Sequence, residues 1–338
     1  MPKQARRQKM YNKIAFSLLV PIVIMSSSVV QAQTSAGNWP SRPITFIVPS
    51  SPGGSTDTTA RILAEGVSKY LGQPVIIENR SGASGVIGLQ AALRAPGDGY
   101  TYVFGYTTNL VISQFTIKDL SFDARRDFEP VAGVAINEMV MSVSASIPAK
   151  SPREFVEWAK TQSGNLTYGS YGQGSYSHIL ANHLGADYGF PALHVPYKAE
   201  QEMLLALGTG DISYAVSVMP AGKRMQDAGK TRMIGVISPR RSELYPDLPT
   251  FKEMGMDDPA FQLLGWNGLF ARKGVAEPIL KKMEAAVLHT LAMPKVREKL
   301  AATSVLAWGG TARELDALWS ADIPVYKELV DSAAAANE

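Results

Sequence analysis

The chain has 338 residues, with 33 Lys and Arg against 30 Asp and Glu, a formal charge of +3, and no Cys. The lack of Cys excludes a disulfide scaffold, thiolate chemistry and lipid attachment at a processed Cys. The positive excess is confined to the N-terminus, so no basic face is expected that would bind nucleic acid.

Lys3, Arg6, Arg7, Lys9 and Lys13 open the chain without an acidic residue; an apolar run from Ile14 to Met25 follows, then a small-residue stretch ending Val30-Gln31-Ala32. A basic start, a short apolar run and a small-residue site mark residues 1–32 as a cleaved secretory signal peptide. The apolar run of about 12 residues is too short to cross a bilayer, which takes about 20. Removing its five basic residues leaves 28 basic against 30 acidic residues, a charge of −2. The remaining length suffices for one large domain or two medium ones.

Strand and helix signals then alternate. Ile44 to Val48 is a β-branched apolar run of the buried parallel type, ended by Pro49. The loop Ser50 to Asp57 leads into a helix marked by Ala60, Leu63, Ala64, Val67 and Leu71, which Gly72 and Pro74 stop. Val75 to Glu78 is a second strand, Ser81 to Gly85 a second loop, Val86 to Leu93 a second helix and Tyr100 to Phe104 a third strand. That βαβαβ order predicts a parallel sheet with right-handed crossovers. In the middle third, strands are expected at 139–143, 167–170, 194–197, 212–216 and 233–237. Helices are expected from Ser151-Pro152-Arg153-Glu154, a capping box with Pro at the first helical position, and over 176–185 and 200–207. The last third holds a strand at 265–270 and helices over 278–291, 294–302 and 311–330, the last opened by the capping box Thr311-Ala312-Arg313-Glu314.

Three of these strands end in a Gly-, Ser- or Thr-rich loop that runs at once into a helix. Ligands of open α/β sheets bind at the carboxyl ends of strands, and a helix N-terminus offers unpaired N–H groups and the positive dipole end. Gly53 and Gly54 would let the backbone approach an anion, with Ser55 and Thr56 as hydroxyl donors. Gly172 and Gly174, with Ser175 and Ser177, would do the same from the other half. Asp57 and His178, near the two helix starts, are either ligand contacts or structural groups. The chain lacks a P-loop, a complete G-x-G-x-x-G, the G-x-S-x-G elbow that an exported hydrolase would need, and H-E-x-x-H. The four His are 178, 183, 194 and 289, and 178 and 183 do not share a helix face, so neither a metal site nor a cofactor is expected.

In order and spacing, several segments resemble the solute-binding proteins of tripartite tricarboxylate transporters, the Bug family. They are Trp39 to Ile44, Pro49 to Asp57, Leu71 to Arg80, Pro96 to Thr101, Tyr168 to Ser170 with Gly172, Gly174, Ser175 and His178, His194 to Lys198, and Leu248 to Thr250. The resemblance implies an α/β, two-lobe type II periplasmic-binding-protein (Venus-flytrap) fold, with lobe 1 over 39–140 and 252–338 and lobe 2 over 141–251. It implies a monomeric, non-enzymatic periplasmic protein that holds a small carboxylate between two glycine loops and delivers it to the membrane subunits of the transporter. A ligand-sensing subunit for a receptor kinase is the alternative role. The expected ligand contacts are Pro52, Gly53, Gly54, Ser55, Thr56 and Asp57 in the first loop, and Tyr106 and Thr107 after the third strand. From the other half come Tyr171, Gly174, Ser175, Tyr176, His178 and Ser217. Many relatives carry an Asp where this chain has Ser217, and small residues where it has Tyr106, Tyr171 and Tyr176. Three aromatic rings near the loops point to a flat ligand, an aromatic (di)carboxylate such as terephthalate, with citrate or another aliphatic acid as the alternative.

Overall fold

A computed structural model of the chain describes residues 38–335, apart from 163 and 165. The expected signal peptide, residues 1–32, lies outside the described residues. Eleven strands are present among the described residues: β1 (Ile44–Val48), β2 (Val75–Asn79), β3 (Thr101–Tyr106), β4 (Phe128–Asn137), β5 (Met139–Ser144), β6 (Leu166–Ser170), β7 (Ala192–Pro196), β8 (Tyr214–Val218), β9 (Thr231–Ile237), β10 (Gly265–Arg272) and β11 (Leu306–Thr311). The helices are α1 (Ser55–Leu71), α2 (Val86–Arg94), α3 (Ser113–Thr116), α4 (Ala124–Asp127), α5 (Pro152–Lys160), α6 (Tyr176–Tyr188), α7 (Glu200–Thr209), α8 (Met219–Asp227), α9 (Glu277–Ala292), α10 (Pro294–Ala301) and α11 (Ala312–Ala335).

The strands form two sheets, a six-stranded one in the order β11-β4-β10-β3-β1-β2 and a five-stranded one in the order β7-β6-β8-β5-β9. The expected βαβαβ unit is present: β1 lies between β2 and β3 and pairs parallel with both. Its side chains are almost all buried, as the unbroken apolar run requires when both sheet faces are covered. In the second sheet β6 pairs parallel with β7 and β8, whereas β5 runs antiparallel to β8 and β9. In the first, β10 enters antiparallel between β3 and β4, buried along nearly its whole length.

β4, β11 and α8 were not anticipated from the sequence. Pro130 and Gly133 hide β4, because neither fits a strand's apolar pattern. Both of its pairings contain register shifts, one of them between Leu269 and Phe270, where Phe270 faces Pro130. In β11 the chain bulges at Gly309, whose φ of 72° needs glycine, and Trp308 lies over the bare Cα of Gly133. A side chain at 133 would put its Cβ 2.3 Å from that indole.

The chain passes between the sheets twice, from β4 through Glu138 into β5, and from β9 through residues 238–264 into β10. Glu138 is buried where the first crossing occurs, and Ser242, on the second, donates its hydroxyl to that carboxylate. Burial raises the Glu138 carboxyl above its usual range. The C-terminal helix α11 contacts both halves. Trp319 Nε1 donates to Leu110 O at 3.4 Å on the side of the first sheet, and the ring of Tyr326 packs 5.7 Å from Tyr176 on α6.

α2 approaches the end of β1 so closely that a Cβ on Gly88 would sit 2.7 Å from Pro49 Cβ, 2.9 Å from Pro49 Cα and 3.0 Å from Arg80 O. Two of these are main-chain atoms, so the strain cannot be relieved by turning a side chain. Gly88→Ala is therefore expected to destabilise by about 1–3 kcal/mol, as overpacking does, although Ala is the better helix former by about 1 kcal/mol. Urea unfolding of the variant against wild type measures the difference.

Candidate functional site

The loops at the carboxyl ends of the strands face one another across a cleft of about 520 Å³, within the range of small-molecule sites. The first sheet contributes residues 49–52 and 54–56 after β1, 81–85 after β2, and Tyr106 to Thr108 after β3. Asn137, Met139, Gly265, Trp266 and Asn267 line it where the chain crosses between sheets, and Tyr171, Tyr176, residues 198–201 and Val218 come from the second sheet's side.

The first loop is shaped from beneath by Asp57. This carboxylate is 2% exposed and accepts Gly53 N at 2.8 Å, Arg61 Nε at 2.9 Å and Asn79 Nδ2 at 2.9 Å. Asn79 Nδ2 also donates to Ser50 O at 3.1 Å, so the loop is held at both ends. Burial pushes Asp57 up, but hydrogen bonds from Arg61, Gly53 and Asn79 outweigh it and hold the carboxyl below its ordinary value. Gly53 takes φ 79°, which lets its N–H turn back to Asp57. Gly54 is the N-cap of α1 and supplies no side chain to cap it, so the first-turn N–H groups of α1 stand beside the cleft without a side-chain cap, while the Asp57 carboxylate sits within the same turn. Ser50 Oγ, in the cleft wall, is buried without a partner.

Tyr106 ties two loops together. Its hydroxyl donates to Pro49 O at 2.9 Å, and its main-chain N donates to Asn109 Oδ1 at 2.9 Å in the wide helical turn 108–112. Gly85, at φ 93°, leaves room for that ring, since a Cβ there would meet the Tyr106 hydroxyl at 2.6 Å. Thr107 Oγ1 accepts Trp266 N at 3.1 Å, and Trp266 Nε1 donates to the buried Asp322 of α11 at 2.7 Å. Burial lifts Asp322 to about 6.

Pro52, Gly54, Ser55, Thr56, Tyr106, Thr107, Tyr171 and Tyr176 are thus brought together as expected, whereas Gly53, Asp57, Gly174, Ser175, His178 and Ser217 are not part of the cleft wall. The reason is that these groups already serve the loops themselves. Ser175 caps α6 through His178 N, and His178 Nδ1 accepts Gly174 N at 3.2 Å. At the start of α6 the His178 N–H is thus capped internally, and the glycine, serine and histidine of this loop stand off the cleft wall. Ser217 is fully buried, packed near Gly222, and its neighbour Val218 lines the cleft instead. Gly172 and Ser177 also lie off the wall; Ser177 Oγ donates to Val216 O at 2.6 Å. Of the three tyrosines, Tyr176 is buried with its hydroxyl donated to Leu263 O at 3.1 Å, leaving Tyr106 and Tyr171 as the partly open rings.

The second sheet's polar contribution comes from the start of α7, which the sequence did not single out. Ala199 is the N-cap and offers no side-chain cap. Glu200, half-buried, accepts Val218 N at 2.9 Å, and desolvation pushes its carboxyl up to about 7. Asn137 and Asn267 share a hydrogen bond of 2.5 Å at the crossing. The residue types of Asn137, Trp266 and Asn267 gave no local signal, since only the antiparallel insertion of β10 brings them beside Tyr106.

The residues 59–333 match the profile of the tripartite tricarboxylate transporter family receptor. The chain belongs to that family. It is 31% identical over 301 residues to a UPF0065 protein of Bordetella pertussis, covering 89% of this chain and 92% of the relative. Among solved structures it is similar to the periplasmic binding protein BugD, at 27% identity and TM-score 0.77, over 88% of this chain and 99% of that one. It is also similar to an R. palustris protein solved with adipate, at 28% identity and TM-score 0.81, over 88% and 98%. The fold is accordingly the α/β Venus-flytrap fold of Bug-type periplasmic binding proteins. The family is one of solute-binding receptors.

Away from the cleft, His183, Asp187 and Asp258 bring ligand-capable atoms within 4.8 Å of one another. His183 and Asp258 pair at 2.9 Å, and Asp258 also caps the short turn 259–262 through Ala260 N.

Two outcomes follow from this geometry. Asp57→Ala leaves the Gly53 N–H and Arg61 without their acceptor, so it is expected to cost about 1–3 kcal/mol and to weaken ligand binding; urea unfolding and calorimetry read the two effects. His194, whose Nε2 lies 2.7 Å from Ser170 Oγ, is held near 4 by burial first and by His178 second, against an ordinary 6.5. Its folded value lies below its unfolded one, so its contribution is complete above pH 6.5 and lost as pH falls toward 4. Unfolding free energy measured across that window should fall more steeply for wild type than for His194→Gln.

Proposed function

We propose that this chain captures a small carboxylate in the cleft between its two sheets and hands it, chemically unchanged, to the membrane subunits of a tripartite tricarboxylate-type transporter. The single observation that carries this reading is the first loop. It presents the uncapped N-terminus of α1 to a cleft of ligand size, with the hydroxyl-bearing Ser55 and Thr56 in the same wall and the buried, unpartnered hydroxyl of Ser50 behind it. Such a site suits an anion's oxygens, and the R. palustris relative was solved with a carboxylate, adipate. The protein acts as a periplasmic monomer after cleavage of residues 1–32. The two lobes, expected at 39–140 with 252–338 and at 141–251, are built on the first and second sheets, with Met139 and Val140 falling in β5 of the second; they close about the crossings at Glu138 and 238–264, a hinge motion of the kind binding proteins use.

Within the carboxylates, the ligand is aromatic, with terephthalate among the candidates. The partly open rings of Tyr106 and Tyr171 on opposite sides of the cleft support this, because a flat ring between them gains about 0.5–1.5 kcal/mol per aromatic pair beyond area burial.

Thermal unfolding against benzoate, terephthalate, adipate and citrate tests both levels. A bound acid at a hundred times its dissociation constant adds about 2.7 kcal/mol, a shift of a few degrees for a chain of this size. Larger shifts with the aromatic acids, abolished by Tyr171→Ala, are expected. Shifts with aliphatic acids alone discard the aromatic ligand, and no shift with any acid discards carboxylate capture.

A further inference from the structure

The two sides of the cleft differ in polarity. From the first sheet come donors: the N–H groups at the start of α1, which no side chain caps, and the hydroxyl-bearing Ser55 and Thr56 in the cleft wall. From the second sheet comes an acceptor, Glu200, the first residue of α7. One of its oxygens takes the N–H of Val218 at 2.9 Å. Among the described residues no Lys or Arg hydrogen-bonds it, and Arg224 of α8 acts on it only through space. Lys198 also lines the cleft, but its side chain is exposed at the mouth. Tyr171 and Glu200 line the cleft from the same side, so the acid shares a wall with a ring that would flank a ligand.

A half-buried carboxylate without a cation is costly and is retained where something supplies the missing hydrogen-bond donor. A second ligand carboxylate at that end would instead meet a like charge. We infer that Glu200 is a specificity-determining residue, selecting a carboxylate whose far end carries a hydrogen-bond donor, an ammonium or amino group, over a dicarboxylate of the same length. This rests on the carboxylate-capture reading and narrows it. Among aromatic acids, 4-(aminomethyl)benzoate should outrank terephthalate; among aliphatic ones, 6-aminohexanoate should outrank adipate.

Isothermal titration of the mature protein with these two matched pairs, in mildly alkaline buffer where Glu200 is ionised, is the test. In at least one pair the amino acid should bind wild type about tenfold or more tightly than the diacid, as a charge-assisted hydrogen bond warrants. Glu200→Gln keeps an oxygen for Val218 N and removes the charge; in it that preference should collapse or reverse, while its melting temperature without ligand stays near that of wild type. Equal binding of amino acid and diacid by wild type overturns the inference even if the variant does not fold. So does a preference that survives in Glu200→Gln, as it would if Lys198 or Gln201 set the choice. If none of the four acids binds either protein, carboxylate capture itself fails. If all four bind equally, capture stands and only the role of Glu200 falls.

Discussion

The buried carboxylate of Asp57 is the constraint on which the binding face of the first sheet depends. The loop after β1 must lie open to ligand, so it cannot be stabilised by covering it. Asp57 solves this from below, gathering the Gly53 amide, Arg61 and Asn79 on one charge. Asn79 is the last residue of β2, so the loop's shape is referred to the neighbouring strand rather than to solvent. With the loop fixed, Pro49 O becomes a steady acceptor for Tyr106, and the strand after next is drawn into the same wall. An ionised acid off the cleft wall thus shapes the loop that lines it.

The two sheets are joined by two chain crossings and one long helix. The crossings are linked through Glu138 and Ser242, a single buried acid and hydroxyl. α11 packs Trp319 toward the first sheet and Tyr326 against Tyr176 of α6. Tyr176 and Trp266 reach from this framework into the cleft wall, and Asp322 of α11 receives the Trp266 indole N–H. The ligand cavity and the helix that bridges the halves therefore share side chains, which gives a route by which occupancy of the cleft is felt in the packing between halves.

Polarity within the cleft follows from the direction of the chain. Parallel strands put helix N-termini at one sheet edge, and the starts of α1 and α7 are among those without a side-chain cap. They are not equivalent. Both first turns carry an acid, but Asp57 of α1 is turned to the Gly53 amide and away from the cleft wall, which Ser55 and Thr56 occupy, whereas Glu200 of α7 lines the cleft itself. The same architectural device thus yields an anion-accepting side and a donor-accepting side.

Much of this protein was legible in its residues. The alternation of short apolar runs with 3.6-periodic segments determined the βαβαβ unit and most later elements, because burial on both faces of a sheet and on one face of a helix imposes those periods locally. Glycine-rich strand–helix turns located the first half of the site, since only Gly permits the φ of 79° at Gly53. Other features were decided in three dimensions. β4 and β11 carry Pro130, Gly133 and Gly309, and they are strands because bulged pairing with β10 and with each other satisfies their main chains. The glycines of the second loop suggested a second half of the site, but that loop stands off the cleft wall, with Ser175 and His178 hydrogen-bonded within it. Asn137, Trp266 and Asn267 join the cleft only because β10 returns from the second half to lie antiparallel between β3 and β4. Local period is a property of neighbouring residues and is written in the chain; which side chains meet at the cleft, as Asn137 and Asn267 do across 130 positions, only the folded structure settles.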